Sequence, residues 1–122
     1  MNCTCVRRER PWGWYETIDK GLTHKVKRIY VNPNQKFSLQ YHNYRIEHWI
    51  IVQGSGLVQL NEYTEWVYPG KHFHIAINSR HRMTAGDDGV LFIEVQHGQC
   101  HENDIVRLED DYGRIDNIYY TD

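Results

Sequence analysis

Along most of the 122-residue chain, short runs of β-branched and aromatic residues alternate with polar ones, and each run closes on turn-forming residues. Alternation with a period of two marks strands that bury one face. The pattern predicts strands near Lys25–Val31, Lys36–His42, Glu47–Gln53, Gly56–Asn61, Thr64–Tyr68, His72–Ala76, His81–Thr84 and Val90–Gln96. Between them stand Asn32-Pro33-Asn34, Asn43, Gly54-Ser55-Gly56, Asn61-Glu62, Pro69-Gly70, Asn78-Ser79 and Gly86-Asp87-Asp88-Gly89. Short strands at such spacing argue an all-β barrel or sandwich. No stretch sustains a helical period. Ahead of the strands, RPWGWYETI offers Trp12, Trp14 and Tyr15, which predicts an N-terminal aromatic arm (1–24) folded over a core barrel of about 25–97. From Gly98 the alternation fades, and 98–122 reads as a loop, a helical turn and a tail packed on the barrel.

Composition narrows the class. With 40% hydrophobic and 25% charged residues, the chain is an ordinary globular domain, and its length suits one domain. A net charge of −2 leaves no basic footprint for nucleic acid. The longest apolar run, WIIV, is too short to span a membrane, and MNCTCVRRER lacks the apolar core of an export signal. Three cysteines, an odd count, then read as reduced thiols of a cytoplasmic protein.

The chemistry concentrates in FSLQYHNYRIEHWIIVQG, Phe37 to Gly54. Gln40 and His42 are two apart on one strand and share a face, and Glu47 opens the returning strand. Paired as a hairpin, the strands bring Gln40, His42 and Glu47 to one point, a donor set that suits a divalent cation needing one or two more ligands. His72 and His74, also two apart, are a competing pair that could chelate with His81, while His48 faces away from Glu47. Cys3, Cys5, Cys100 and His101 form a weaker candidate for a second zinc site. In LFIEVQ, alternation sets Glu94 and Gln96 on one face. A carboxylate on such a strand is a candidate general base, or else a structural partner of Arg82 or Lys27.

The frame His42, Glu47 and Gly54, with Gln40 where a first histidine would stand, resembles the first motif of a cupin. The run LQYHNYRIEHW is similar to the signature of the type II mannose-6-phosphate isomerase domain, the C-terminal half of bifunctional mannose-1-phosphate guanylyltransferases. Further pieces in the same register are RPWGWYE, VKRI, His81-Arg82, IEVQHG and ENDIVRLEDDYGR, so the resemblance runs from Arg10 to Arg114. Two departures are Asn34 for the glycine usual after Pro33 and Ala76 for a proline. Asn tolerates the left-handed backbone that such a glycine supplies.

The resemblance implies a jelly-roll cupin barrel and a fourth metal ligand at His81, beside Gln40, His42 and Glu47. Zinc is the first choice, with manganese, cobalt, iron or nickel fitting the same ligands. It implies interconversion of mannose 6-phosphate and fructose 6-phosphate through a cis-enediol. Glu94 and Arg45 are then candidate catalytic residues, and Lys27, Arg82, Arg107 and Arg114 candidate phosphate contacts. A homodimer and a separate guanylyltransferase are the expected partners. Rival readings are a non-catalytic cupin binding a metal or sugar phosphate, a metal-dependent dioxygenase and a sugar-nucleotide epimerase.

Overall fold

The computed structural model describes residues 6–113. Nine strands run in chain order: β1 (Arg7–Arg10), β2 (Gly13–Lys20), β3 (His24–Val31), β4 (Leu39–Tyr41), β5 (Arg45–Leu60), β6 (Tyr63–Val67), β7 (His72–Ile75), β8 (His81–Gly98) and β9 (Val106–Glu109). Among the described residues no helix is long and apolar enough to cross a membrane.

Two long strands organise the barrel. β5 and β8 pair antiparallel along nearly their whole lengths, from Arg45↔Gly98 to Leu60↔His81. The first half of β5 and the second half of β8 form one sheet with β7, β3, β2 and β1. Their other halves form a second sheet with β6, β4 and β9. Each long strand therefore serves both sheets. The turn residues at Gly54–Gly56 and Gly86–Gly89 predict breaks, but there the strands bend and continue. The register slips between Gly54 and Gly56, where a bulge adds twist. Gly54 adopts φ +80°, and a Cβ on it would lie 2.1 Å from the carbonyl oxygen of Gly89, so only glycine fits this crossing.

The aromatic arm is itself sheet. β1 and β2 form a hairpin around Pro11-Trp12, and β2 pairs with β3 from Gly13↔Val31 onward. Its inward residues Trp12 and Tyr15 are buried with Ile29, Val31, Phe37, Trp49, Ile51, Met83, Val90 and Phe92. Trp49 sits at the centre, its ring 4.6 Å from Phe92 and 5.9 Å from Phe37. The C-terminal part departs from expectation. A turn after Gly98 leads into β9, paired with β4, and the described tail contains no helical turn. Strand β4 is shorter than the predicted Lys36–His42: Lys36 makes only an isolated bridge to Thr84, Phe37 and Ser38 leave the ladder, and His42 lies just past the strand's end. Asn34 takes φ +61°, the left-handed backbone anticipated for it.

Candidate metal centre

The hairpin expected between Gln40 and Glu47 does not form. β4 pairs with β8 and β9, whereas the first half of β5 lies in the opposite sheet. The residues converge nonetheless, across the barrel interior rather than along a ladder. Gln40 is the register partner of His81 in one sheet, and Glu47 faces them from the other. His42 follows β4, at the Asn43–Tyr44 turn that carries the chain between sheets. That turn is held from outside the motif: the Asp104 carboxylate accepts from the backbone N–H of Asn43 at 3.0 Å and of Tyr44 at 2.9 Å.

The ligand atoms of His42, Glu47 and His81 lie within 4.8 Å of one another, and all three residues are buried. Each imidazole is oriented by a main-chain carbonyl. Nδ1 of His42 lies 2.5 Å from the oxygen of Asp104, and Nδ1 of His81 lies 2.9 Å from that of Ser79. A carbonyl only accepts, so both rings carry their proton on Nδ1 and present Nε2 as a lone pair. These Nε2 atoms face the carboxylate of Glu47, at 3.2 Å from His42 and 3.7 Å from His81. Acceptors crowded on acceptors are stable only with positive charge among them, so the donor set fits a divalent cation. The amide nitrogen of Gln40 donates to Ser38, which makes Oε1 the atom with which it would ligate.

Part of that positive charge is built in. Arg45 donates from Nε to Glu47 at 2.9 Å, from Nη1 to the carbonyl of His101 at 3.0 Å, and sets Nη2 3.2 Å from Nε2 of His42. Trp49 Nε1 donates to the other oxygen of Glu47 at 3.0 Å. Burial alone would raise the Glu47 carboxyl, but His42, Arg45 and His81 outweigh it and hold it far below the usual carboxylate range. Burial lowers His42 to about 4, against the pull of Glu47, so its ring is neutral at physiological pH. Glu94 goes the other way: burial and the nearby charge of Glu47 push it up to about 8. Its carboxylate accepts from Gln96 Nε2 at 2.5 Å.

The cavity at this cluster is small, about 40 Å³, enough for a few waters. It is lined by Gln40, His42, Arg45, Glu47, His81 and Glu94, closed by Trp49 and Phe37, and reached by Trp12, Tyr15 and Lys27. Of the residues anticipated to meet substrate, Lys27 reaches the cavity and two arginines do not. Arg82 donates to the carbonyls of Phe37 and Glu109, tying β8 to β9. Arg107 is buried on β9 as the register partner of Gln40, away from the lining. Arg114, Cys3 and Cys5 lie outside the described residues. His72 and His74 are exposed on β7, with the His74 ring tilted against that of His48 at 4.8 Å between centroids, so they stand on the outer face and not with His81. The alternation missed Lys25, Glu102 and Asp104. Lys25 shares the inward face of Lys27 and was available from the period of two. The other two lie in a loop with no period to read.

A family model described as the C-terminal part of mannose-6-phosphate isomerase matches residues 3–110. The chain belongs to that family. It is 43% identical over 107 residues to the alginate biosynthesis protein AlgA of Pseudomonas aeruginosa, covering 86% of this chain and 22% of that protein. It is 38% identical over 108 residues to the mannose-1-phosphate guanylyltransferase ManC of Salmonella typhimurium, covering 87% of this chain and 22% of ManC. The family member thus spans about a fifth of the curated relatives it matches. In fold it is a cupin: a cupin-2 domain from Rhodospirillum rubrum superposes with a TM-score of 0.70 at 17% identity, covering 81% of this chain and 72% of that one.

Proposed function

We propose that this cupin interconverts mannose 6-phosphate and fructose 6-phosphate with a divalent cation, zinc first, held by His42, Glu47, His81 and Gln40. The observation that carries the reading is the oriented His42–Glu47–His81 cluster inside the barrel of a chain of this family. A cation bound there supplies Lewis acidity toward the sugar oxygens. The chain's own groups supply the rest. Glu94, protonated near neutrality and adjoining the cluster, is poised to exchange a proton with the C1–C2 edge, because a base tuned near the working pH transfers protons in both directions. Arg45 fixes the carboxylate of Glu47 and its own charge favours an enediolate nearby. Trp49, Phe37 and Trp12 line the cavity with apolar surface, which limits the water around an enediol and so its side reactions.

The test is conversion of mannose 6-phosphate by the purified chain, before and after chelation, with zinc, manganese and cobalt restored in turn. Activity lost on chelation and regained with one metal supports the reading. A folded, cation-loaded chain without turnover would favour the second reading, a non-catalytic cation- and sugar-phosphate-binding cupin. The small cavity is the observation on that side.

A further inference from the structure

Lys25 and Lys27 are consecutive inward residues of β3, and both are buried. Two ammonium groups this deep demand an anion. It comes from the turn between β8 and β9: the carboxylate of Glu102 accepts from Lys25 Nζ at 2.8 Å and from Lys27 Nζ at 2.7 Å. Burial alone would raise the Glu102 carboxyl, yet the two lysines hold it below its ordinary value, so the bridge is ionic. The Glu102 side chain is 24% exposed, against 8% and 4% for the lysines, so it is the member of the triad with a path to water.

The triad is also a partition. On its inner side is the cavity of about 40 Å³ at the metal cluster, lined by Lys27 and Tyr15. On its outer side is a surface pocket of about 330 Å³, lined by Arg8, Tyr15, Lys20, Lys25 and Glu102. Ligand sites for small molecules commonly span about 300–1,000 Å³, so the inner cavity alone does not admit a hexose phosphate. The triad stands between the two spaces: Tyr15 lines both, Lys27 lines the inner one with the cation ligands, and Lys25 and Glu102 line the outer one.

Resting on the sugar-phosphate reading above, we propose that Lys25 and Lys27 are the phosphate subsite and that Glu102 is an internal anion occupying it until the substrate phosphate displaces it. A phosphate dianion offers more charge and more acceptor oxygens to two ammonium groups than one carboxylate does. Glu102 leaves by rotating toward solvent. Its neighbours on the turn stay anchored, His101 by its carbonyl to Arg45 and Asp104 by its carboxylate to the Asn43–Tyr44 turn. The exchange therefore opens the partition without releasing His42.

Calorimetric titration of the whole chain with mannose 6-phosphate, inorganic phosphate and the uncharged control mannose tests this. Glu102→Gln keeps the side chain's shape and removes the competing charge. It is expected to bind both phosphates about tenfold more tightly, with mannose unchanged. Lys25→Met is expected to weaken both phosphates about tenfold or more. A folded Glu102→Gln chain with unchanged or weaker phosphate binding overturns the proposal. As a second measurement on the parent chain, inorganic phosphate is expected to compete with mannose 6-phosphate for the same site, and mannose 6-phosphate binding left unchanged by saturating inorganic phosphate counts equally against it. The outcomes separate from those of the isomerase reading. Phosphate binding that follows this pattern without turnover defeats only the isomerase. Turnover whose KM for mannose 6-phosphate ignores Glu102→Gln and Lys25→Met defeats only the subsite.

Discussion

Asp104 holds His42 twice over: its carbonyl orients the imidazole through Nδ1, and its carboxylate fixes the turn on which His42 stands. The two residues are 62 positions apart, so the clamp belongs to the tertiary fold and not to the motif. Asp104→Ala removes the carboxylate from two backbone donors and is expected to cost about 2–3 kcal/mol of stability. Through the loosened turn, cation affinity should fall by about 10–100-fold. Asp104→Asn should lose less on both counts. Denaturant unfolding and zinc titration read the two effects separately.

Glu47 is expected to matter even with no cation bound. Glu47→Gln leaves the buried guanidinium of Arg45 without its ionic partner, which should destabilise the chelated protein by about 3–5 kcal/mol. Adding Arg45→Met should recover much of that loss, because the unpaired charge goes with it. Urea unfolding of the two single variants and the double variant in excess chelator closes the cycle. Full additivity would mean that the pair is not coupled.

The opposed shifts of His42 and Glu94 give the chelated protein a stability optimum in pH. The unfolded His42 takes up a proton near 6.5 and the folded one only near 4, so stability drops as pH falls between those values. Glu47, depressed from 4.5, adds to the loss at the acid end. Glu94 acts at the alkaline end: its folded carboxyl keeps until about 8 a proton that the unfolded one gives up near 4.5. Stability is therefore expected to decline between pH 6.5 and 8, by about 1–2 kcal/mol, and Glu94→Gln should flatten that decline. Melting temperatures across pH 4–9 in chelator decide it.

Gly54→Ala tests the crossing of the long strands. A Cβ there meets the Gly89 carbonyl at 2.1 Å on a left-handed backbone, so the strands must separate or the bulge must unwind. The expected loss is about 3 kcal/mol or more, seen as a lower unfolding midpoint. Gly70→Ala is the control, since it shares the left-handed backbone but meets nothing within 4 Å.

Which parts of this were legible beforehand follows from the range of the interactions. The period of two placed Gln40 and His42 on one face of their strand and Glu94 and Gln96 on one face of theirs, because side-chain direction in a strand is local; which of those faces is inward is a matter of the sheets' packing. The same local rule failed at the hairpin. It paired β4 with β5 because they are neighbours in sequence, whereas the Asn43–Tyr44 turn crosses between sheets and β4 pairs with β8 and β9. Gly54 and Gly86–Gly89 looked like ends of strands because glycine marks both a break and a bend, and only the pairing partner distinguishes them. Arg82 looked like a phosphate ligand beside His81, yet its guanidinium is consumed by main-chain carbonyls of Phe37 and Glu109. Glu102 and Asp104 carried no signal because their meaning lies in lysines and a turn far away along the chain.

The position of Asp104 also sets a timetable for the molecule during its synthesis. Every ligand-bearing residue from Gln40 to His81 leaves the ribosome before the segment that clamps His42, and β9, the edge partner of β4, leaves later still. The nascent chain therefore passes through a stage in which the donor atoms have all been made but the turn beneath His42 is untied. A premature stop anywhere between Gly98 and Asp104 would yield a polypeptide with the complete ligand set and no assembled centre.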